Sequence, residues 1–153
     1  MALFCKEITS LMKRLWIIVF CLISSLSFSQ NWELDFEHAK KQAKEEQKQI
    51  LLVFSGSDWC APCIKLDQQI WQTEAFQNHA NDNLVLLRAD FPKRKNNRLP
   101  KEQELKNTKL AEQYNTEGYF PLVVLMNANG KVIHKLGYKN LSPEEYITAI
   151  YED

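Results

Sequence analysis

Ile50-Leu51-Leu52-Val53-Phe54-Ser55-Gly56-Ser57-Asp58-Trp59-Cys60-Ala61-Pro62-Cys63 joins an apolar run to two thiols separated by two residues. The run is nearly continuous in apolar character, as expected of a strand covered on both faces. The thiols follow where such a strand hands over to a helix. A pair spaced in this way closes into a small disulfide ring and reopens easily. The unpaired N–H groups and partial positive charge of a helix start favour a thiolate over a thiol, so Cys60 is expected to be a nucleophile near neutral pH. That is redox chemistry.

The chain has 153 residues, 45% of them hydrophobic, enough for one compact domain and too few for two of ordinary size. Its 19 basic and 19 acidic residues balance and are mixed along the chain, which leaves no electrostatic footprint for nucleic acid.

Residues 1–29 read as a signal peptide. Lys13 and Arg14 precede the apolar stretch Leu15-Trp16-Ile17-Ile18-Val19-Phe20-Cys21-Leu22-Ile23, and Ser27 and Ser29 are small enough to suit signal peptidase,. Cleavage is expected after Ser29, leaving residues 30–153 as the working domain. Met12 reads as a more natural start than Met1. The apolar stretch is well short of the roughly 18 to 20 residues that cross a bilayer, so export to the periplasm is expected rather than a membrane anchor. Cys21 does not suit lipid attachment, because bulky Ile18, Val19 and Phe20 precede it,. Removing the leader discards Cys5 and Cys21. Cys60 and Cys63 are then the remaining thiols, and a lone close pair in an oxidising compartment reads as catalytic rather than as a structural staple.

Along the mature chain, Trp32, Phe36, Ala39 and Ala43 predict an amphipathic helix over 31–47,. A strand follows over 50–55. Ile64, Leu66, Ile70 and Trp71 continue a helical pattern after Cys63, and Thr73 caps a further short helix. Residues 83–90 read as a second buried strand. Residues 91–100, with Lys93, Arg94, Lys95 and Arg98 between prolines, read as an exposed loop,. A helix over 101–114 is expected to bury Leu105, Leu110 and Ala111. Pro121 opens a strand over 122–126, which turns through Asn127-Ala128-Asn129-Gly130 into a strand over 131–136,. Ser142-Pro143-Glu144-Glu145 carries the capping-box pattern of a last helix,. This order predicts an α/β fold of three layers, a central mixed sheet with helices on both faces.

With Trp59-Cys60-Ala61-Pro62-Cys63 ending the first core strand and Gly118-Tyr119-Phe120-Pro121 opening the hairpin, the chain resembles the thioredoxin superfamily, in particular exported bacterial thioredoxin-like proteins with a charged insertion before the third helix. The resemblance covers the whole chain after the leader. It implies that Cys60 attacks a substrate disulfide, that Cys63 resolves the mixed disulfide, and that Pro121 is cis and lies against the pair. Trp59, Phe120 and Pro121 would form the substrate-binding face, the backbone of Phe120 pairing with an extended segment. Substrates would be protein disulfides, with a membrane or soluble thiol-disulfide partner recharging the pair. No cofactor or metal is implied, and a monomer is expected.

Two departures from the family pattern bear on chemistry. The buried acid that family members carry six residues before the first cysteine is replaced here by Phe54, and the lysine that faces it aligns on Leu86. Proton transfer from Cys63 must therefore use water or another group, for which Asp58 is expected to be too exposed. Phe120 stands where a small or β-branched residue is common, making the groove more apolar. Between the cysteines, Ala61-Pro62 contains no histidine to stabilise the thiolate further, which favours a reductant or isomerase over an oxidant.

Close thiolates also suit Cu(I) or half a zinc site, but His38, His79 and His134 fall on separate predicted elements and are expected to be structural. A redox-inert scaffold is at odds with the intact pair. The basic run over 93–98 reads as a solvated loop rather than a site for acidic partners, Trp59 as a wall beside the ring, and Trp32, Trp71 and Phe76 as core.

Overall fold

The computed structural model describes residues 31–152. The expected leader over 1–29 lies outside the described residues. In chain order the elements are α1 (Phe36–Glu46), β1 (Gln49–Ser55), α2 (Ala61–Leu66), which runs on as a π-helical turn (Asp67–Trp71), α3 (Glu74–Asn83), β2 (Leu84–Asp90), a 3-10 turn (Lys95–Asn97), α4 (Lys101–Tyr114), β3 (Leu122–Met126), β4 (Val132–Leu136) and α5 (Pro143–Tyr151). The sheet order is β2-β1-β3-β4. β1 runs parallel to β2, β3 is antiparallel to β1, and β4 is antiparallel to β3. This is the mixed sheet expected from one crossover followed by one hairpin.

β1 is central and feeds both faces. Alternate side chains point to opposite sides of a strand. Leu51 and Val53 therefore join Leu66, Ile70, Trp71, Phe76 and Tyr146 in one core, while Ile50, Leu52 and Phe54 join Ala39, Ala43, Leu110 and Tyr114 in the other. Burial on both sides explains why the strand reads as unbroken apolar sequence rather than alternation.

Local chemistry shifts several expected boundaries. α1 starts at Phe36 because the Asp35 side chain accepts the His38 amide at 3.0 Å as N-cap,. Just upstream, Glu33 bridges to the outer edge of β2, its amide donating to Leu86 O at 2.8 Å. Trp32 is thus not on the stripe of Ala39 and Ala43. It packs on the opposite face of the sheet, edge-on to Trp71 with ring centroids 6.1 Å apart. Asn83 ends α3 rather than starting β2.

On α4, Leu105 is 55% exposed, whereas Asn107 is 1% exposed. The Asn107 amide donates to Asp90 O at 2.8 Å and accepts from Gln103 at 2.8 Å, which accounts for a polar side chain at that depth,. The Asn-Gly turn forms as expected, with Gly130 at φ 83° and its amide bonded to Asn127 O at 2.9 Å,. At α5 both halves of the capping box are made, Ser142 to Glu145 and back. Burial pushes the Tyr146 hydroxyl well above the usual tyrosine range, and that hydroxyl donates to Gly137 O at 2.9 Å.

Candidate active site

Where β1 ends, the chain makes a tight turn and starts α2. The amide of Cys60 donates back to Gly56 O at 2.9 Å. Cys60 is the N-cap of α2 in extended backbone geometry, and Pro62 occupies the first turn, where no helical hydrogen bond is lost,. Cys60 and Cys63 are joined as a disulfide with Cα atoms 5.2 Å apart. The Cys63 amide donates to Cys60 Sγ at 3.3 Å. When the ring opens, the same amide meets a sulfur that has gained charge, and hydrogen bonding to the charged form favours it. The helix supplies the charge separation that the sequence implied. Both cysteines are nearly enclosed, Cys60 and Cys63 being 4% and 3% exposed. Each sulfur's bonded side is taken by the other, so position on the helix, not exposure, distinguishes them.

Trp59, next to Cys60 in sequence, is 39% exposed. Its indole N–H donates to Phe91 O at 2.7 Å, and its ring meets Phe120 edge-on at 5.4 Å. Phe91 meets Phe120 the same way at 5.5 Å, and Lys93 Nζ sits 3.8 Å from the centre of the Trp59 ring,. The charged loop is therefore fastened to the rim rather than merely solvated. Asp58 fastens it further. Its carboxylate accepts the amides of Lys93 and Arg94, each at 2.9 Å, and the side-chain amide of Asn97 at 3.0 Å. The Lys93 amide foremost, then the other donors, hold the Asp58 carboxyl below the usual carboxylate range,. Asp90 does similar service for Ser57, accepting both its amide and its hydroxyl.

Gly56 is required by close approach. A Cβ there would lie 2.4 Å from Trp59 Cε2 and 2.7 Å from Nε1. The indole cannot yield without giving up Phe91 O and Phe120. Gly56→Ala is expected to cost about 1–3 kcal/mol, the range for forcing extra volume into a packed site, and to shift the tryptophan emission as the ring moves. A variant with unchanged melting temperature and unchanged emission would contradict this packing.

Across from Trp59, Phe120 is half-buried and Pro121 buried, and their peptide bond is cis, as the resemblance implied. The buried Asn115 braces this segment, donating to Tyr119 O and accepting from the Tyr119 amide, both at 2.9 Å. Phe91 and Asn115 went unnoticed in the sequence. Phe91 opens a loop dominated by charge, and nothing local marks Asn115 as a clamp, although Gly118, at φ 71°, signals the turn that it closes.

The strand register corrects one alignment. Phe54 pairs with Ala89, while Leu86 pairs with Leu51 and faces the other core. Leu86 is thus not the partner of position 54, and the cation on this part of β2 is Arg88. The histidines lie apart: His38 is 2.8 Å from Glu33, His79 is 2.8 Å from the Tyr151 hydroxyl, and His134 is on β4. Among the described residues no three side chains of His, Cys, Asp or Glu gather as metal donors.

A closed two-thiol ring capping a helix, at the end of the central strand of this sheet, defines a thiol-disulfide oxidoreductase. Comparison with known proteins agrees. Residues 31–128 match the family model described as thioredoxin-like. The chain is 36% identical to the disulfide bond reductase DsbH of Chlamydia pneumoniae over 78% of its own length and 69% of that protein's. A solved structure of a DsbH oxidoreductase superposes with a TM-score of 0.73 at 34% identity, over 80% of this chain and 82% of that one. A disulphide isomerase from Xylella fastidiosa Temecula1 shares the fold, with a TM-score of 0.57 at 20% identity over 81% of this chain and 100% of that one. The chain belongs to the thioredoxin-like family.

Proposed function

We propose that this protein reduces or isomerises disulfides in protein substrates outside the cytoplasm, after loss of residues 1–29. Cys60 is the attacking thiolate and Cys63 the resolving thiol. Trp59, Phe120 and Pro121 receive an extended substrate segment on an apolar rim. The chain works as a monomer, and a membrane or soluble thiol-disulfide partner returns the pair to the dithiol. The observation that carries this reading is the Cys63 amide aimed at Cys60 Sγ from inside the helix, which stabilises charge on the first sulfur and keeps the second three residues away. Among the described residues no helix is long and apolar enough to cross a membrane. The name of the Chlamydia pneumoniae relative, a disulfide bond reductase, supports the reductive direction.

Cys63→Ser provides the test. With Cys60 attacking and nothing to displace it, a mixed disulfide between Cys60 and the substrate is expected to accumulate to near stoichiometry, visible by mass and lost on adding dithiothreitol. An adduct that instead forms on Cys63 in a Cys60→Ser protein would reverse the roles. The reduction potential sets the direction: about -270 mV marks a reductant, about -180 mV an isomerase and about -120 mV an oxidant.

A further inference from the structure

With Phe54 where a carboxylate would serve, the resolving sulfur has no base on β1. We propose that Asp67, held by Arg88, accepts the proton of Cys63 in the resolving step. This rests on the reading of Cys63 as the resolving thiol.

Asp67 follows Cys63 by four residues and so lies on the same side of the helix. Its backbone amide donates to both Cys63 O and Ile64 O at the point where the α-helix passes into the π turn, a transition often found at working sites. Behind the disulfide is a cleft of about 130 Å³ lined by Cys63, Asp67, Arg88, Ser55 and Ser57, among others. A cleft of that size with polar walls has room for several water molecules, enough to carry a proton between sulfur and carboxylate.

The carboxylate is oriented rather than loose. Arg88 Nη2 donates to its Oδ1 at 2.8 Å, and Gln72 Nε2 donates to its Oδ2. Arg88 is positioned in turn by its guanidinium lying 4.2 Å from the centre of the Trp32 ring,. Its Nε is buried with no hydrogen-bond partner among the described residues, an uncommon state for a buried donor. That leaves an unspent cationic donor on a residue that lines the cleft.

The other charged groups nearby are committed or turned elsewhere. Asp90 is bonded to Ser57 and Asp58 to the loop amides. Glu33, beside β2, pairs with His38. Glu145 of α5 binds the Ser142 amide, His79 of α3 binds Tyr151, and Lys65 and Glu74 are exposed. Among the described residues, the ionisable side chains lining the cleft apart from Cys63 are Asp67 and Arg88.

In the mixed disulfide, Cys60 Sγ is bonded to the substrate sulfur. The Cys63 thiol gives its proton through water to the Asp67 carboxylate, and the thiolate so formed attacks Cys60 Sγ. The Cys60–Cys63 bond forms as the bond from Cys60 to substrate breaks. The electron pair leaves on the substrate sulfur, which takes a proton from solvent. The two cysteines are oxidised and the substrate disulfide is reduced. Asp67, its side chain 33% exposed, passes its proton to bulk water.

The test follows single turnovers of the reduced protein with glutathione disulfide. Samples are acid-quenched at intervals, and free protein, mixed disulfide and oxidised protein are resolved by mass. Asp67→Asn is expected to form the mixed disulfide within about twofold of the wild-type rate but to lose it about a hundredfold more slowly at pH 7, at the low end of general-base effects. The deficit closes as the pH passes about 8.5, where a cysteine thiol ionises without help. Asp67→Glu, which keeps the carboxylate, restores most of the rate.

Three results would overturn the assignment. One is decay within about twofold of wild type at pH 7, too little for a general base. Another is a deficit of constant size across the pH range, the mark of a purely structural role. The third is Asp67→Glu as slow as Asp67→Asn. Should Asp67→Asn fail to fold, Arg88→Gln leaves the carboxylate in place with Gln72 alone to hold it, and must then show a smaller deficit with the same pH dependence. Failure of the parent reading looks different, because in that case no mixed disulfide on Cys60 forms at all.

Discussion

Cys60→Ser is expected to abolish disulfide reduction, a loss of at least about a thousandfold on the scale of nucleophile deletions. Serine at this position separates chemistry from folding. It is a favoured N-cap, and its hydroxyl oxygen can accept the Cys63 amide that Sγ now accepts at 3.3 Å, so α2 starts where it did. The disulfide that is lost closes a ring between residues only three apart in sequence, and short loops contribute the least to stability through closure entropy. The variant should therefore keep its circular dichroism and unfold cooperatively while reducing neither insulin nor glutathione disulfide. Measurable turnover by a folded Cys60→Ser protein would overturn the mechanism.

Trp71→Ala is expected to be the most damaging single change to the core. Trp71 is 2% exposed and stands among three other aromatic rings, with centroids 4.5 Å from Phe76, 5.6 Å from Tyr146 and 6.1 Å from Trp32. Removing it withdraws the largest apolar side chain in that core and three ring contacts at once. Truncation of a buried tryptophan typically costs about 3–5 kcal/mol, a large share of the roughly 5–15 kcal/mol that holds a domain folded. The melting temperature should fall by about 10–20 °C. A change of only a few degrees would mean that Trp32, Phe76 and Tyr146 close over the gap.

Most of the architecture was legible because it rests on local signals. The unbroken run from Ile50 to Phe54, the Asn-Gly turn and the Ser142 capping box each specify their element without reference to distant residues, and each forms. The Cys60–Cys63 ring and the cis bond before Pro121 follow from the motif and the resemblance. What escaped the sequence depends on contacts between distant segments. Trp32 fits a helical spacing with Phe36, yet Asp35 caps the helix between them and turns the ring to the other face. Leu105 has the right period for burial on α4, but the position that meets the sheet is polar Asn107.

At the site, the fastening of the charged loop by Asp58 joins residues 35 to 39 positions apart, beyond any periodicity argument. The pairing of Asp67 with Arg88 spans 21 positions and links a helix to a strand. The resemblance drew attention to position 54 and misplaced its neighbour on Leu86, because alignment carries no strand register.

Five consecutive residues of β1, Ile50 to Phe54, are each at most 2% exposed, clamped between two independent layers. Amides in so sheltered a strand exchange with solvent only when the whole domain opens. The turn that carries the sulfurs thus springs directly from the strand expected to let go last, and fraying at the surface does not reach its anchor.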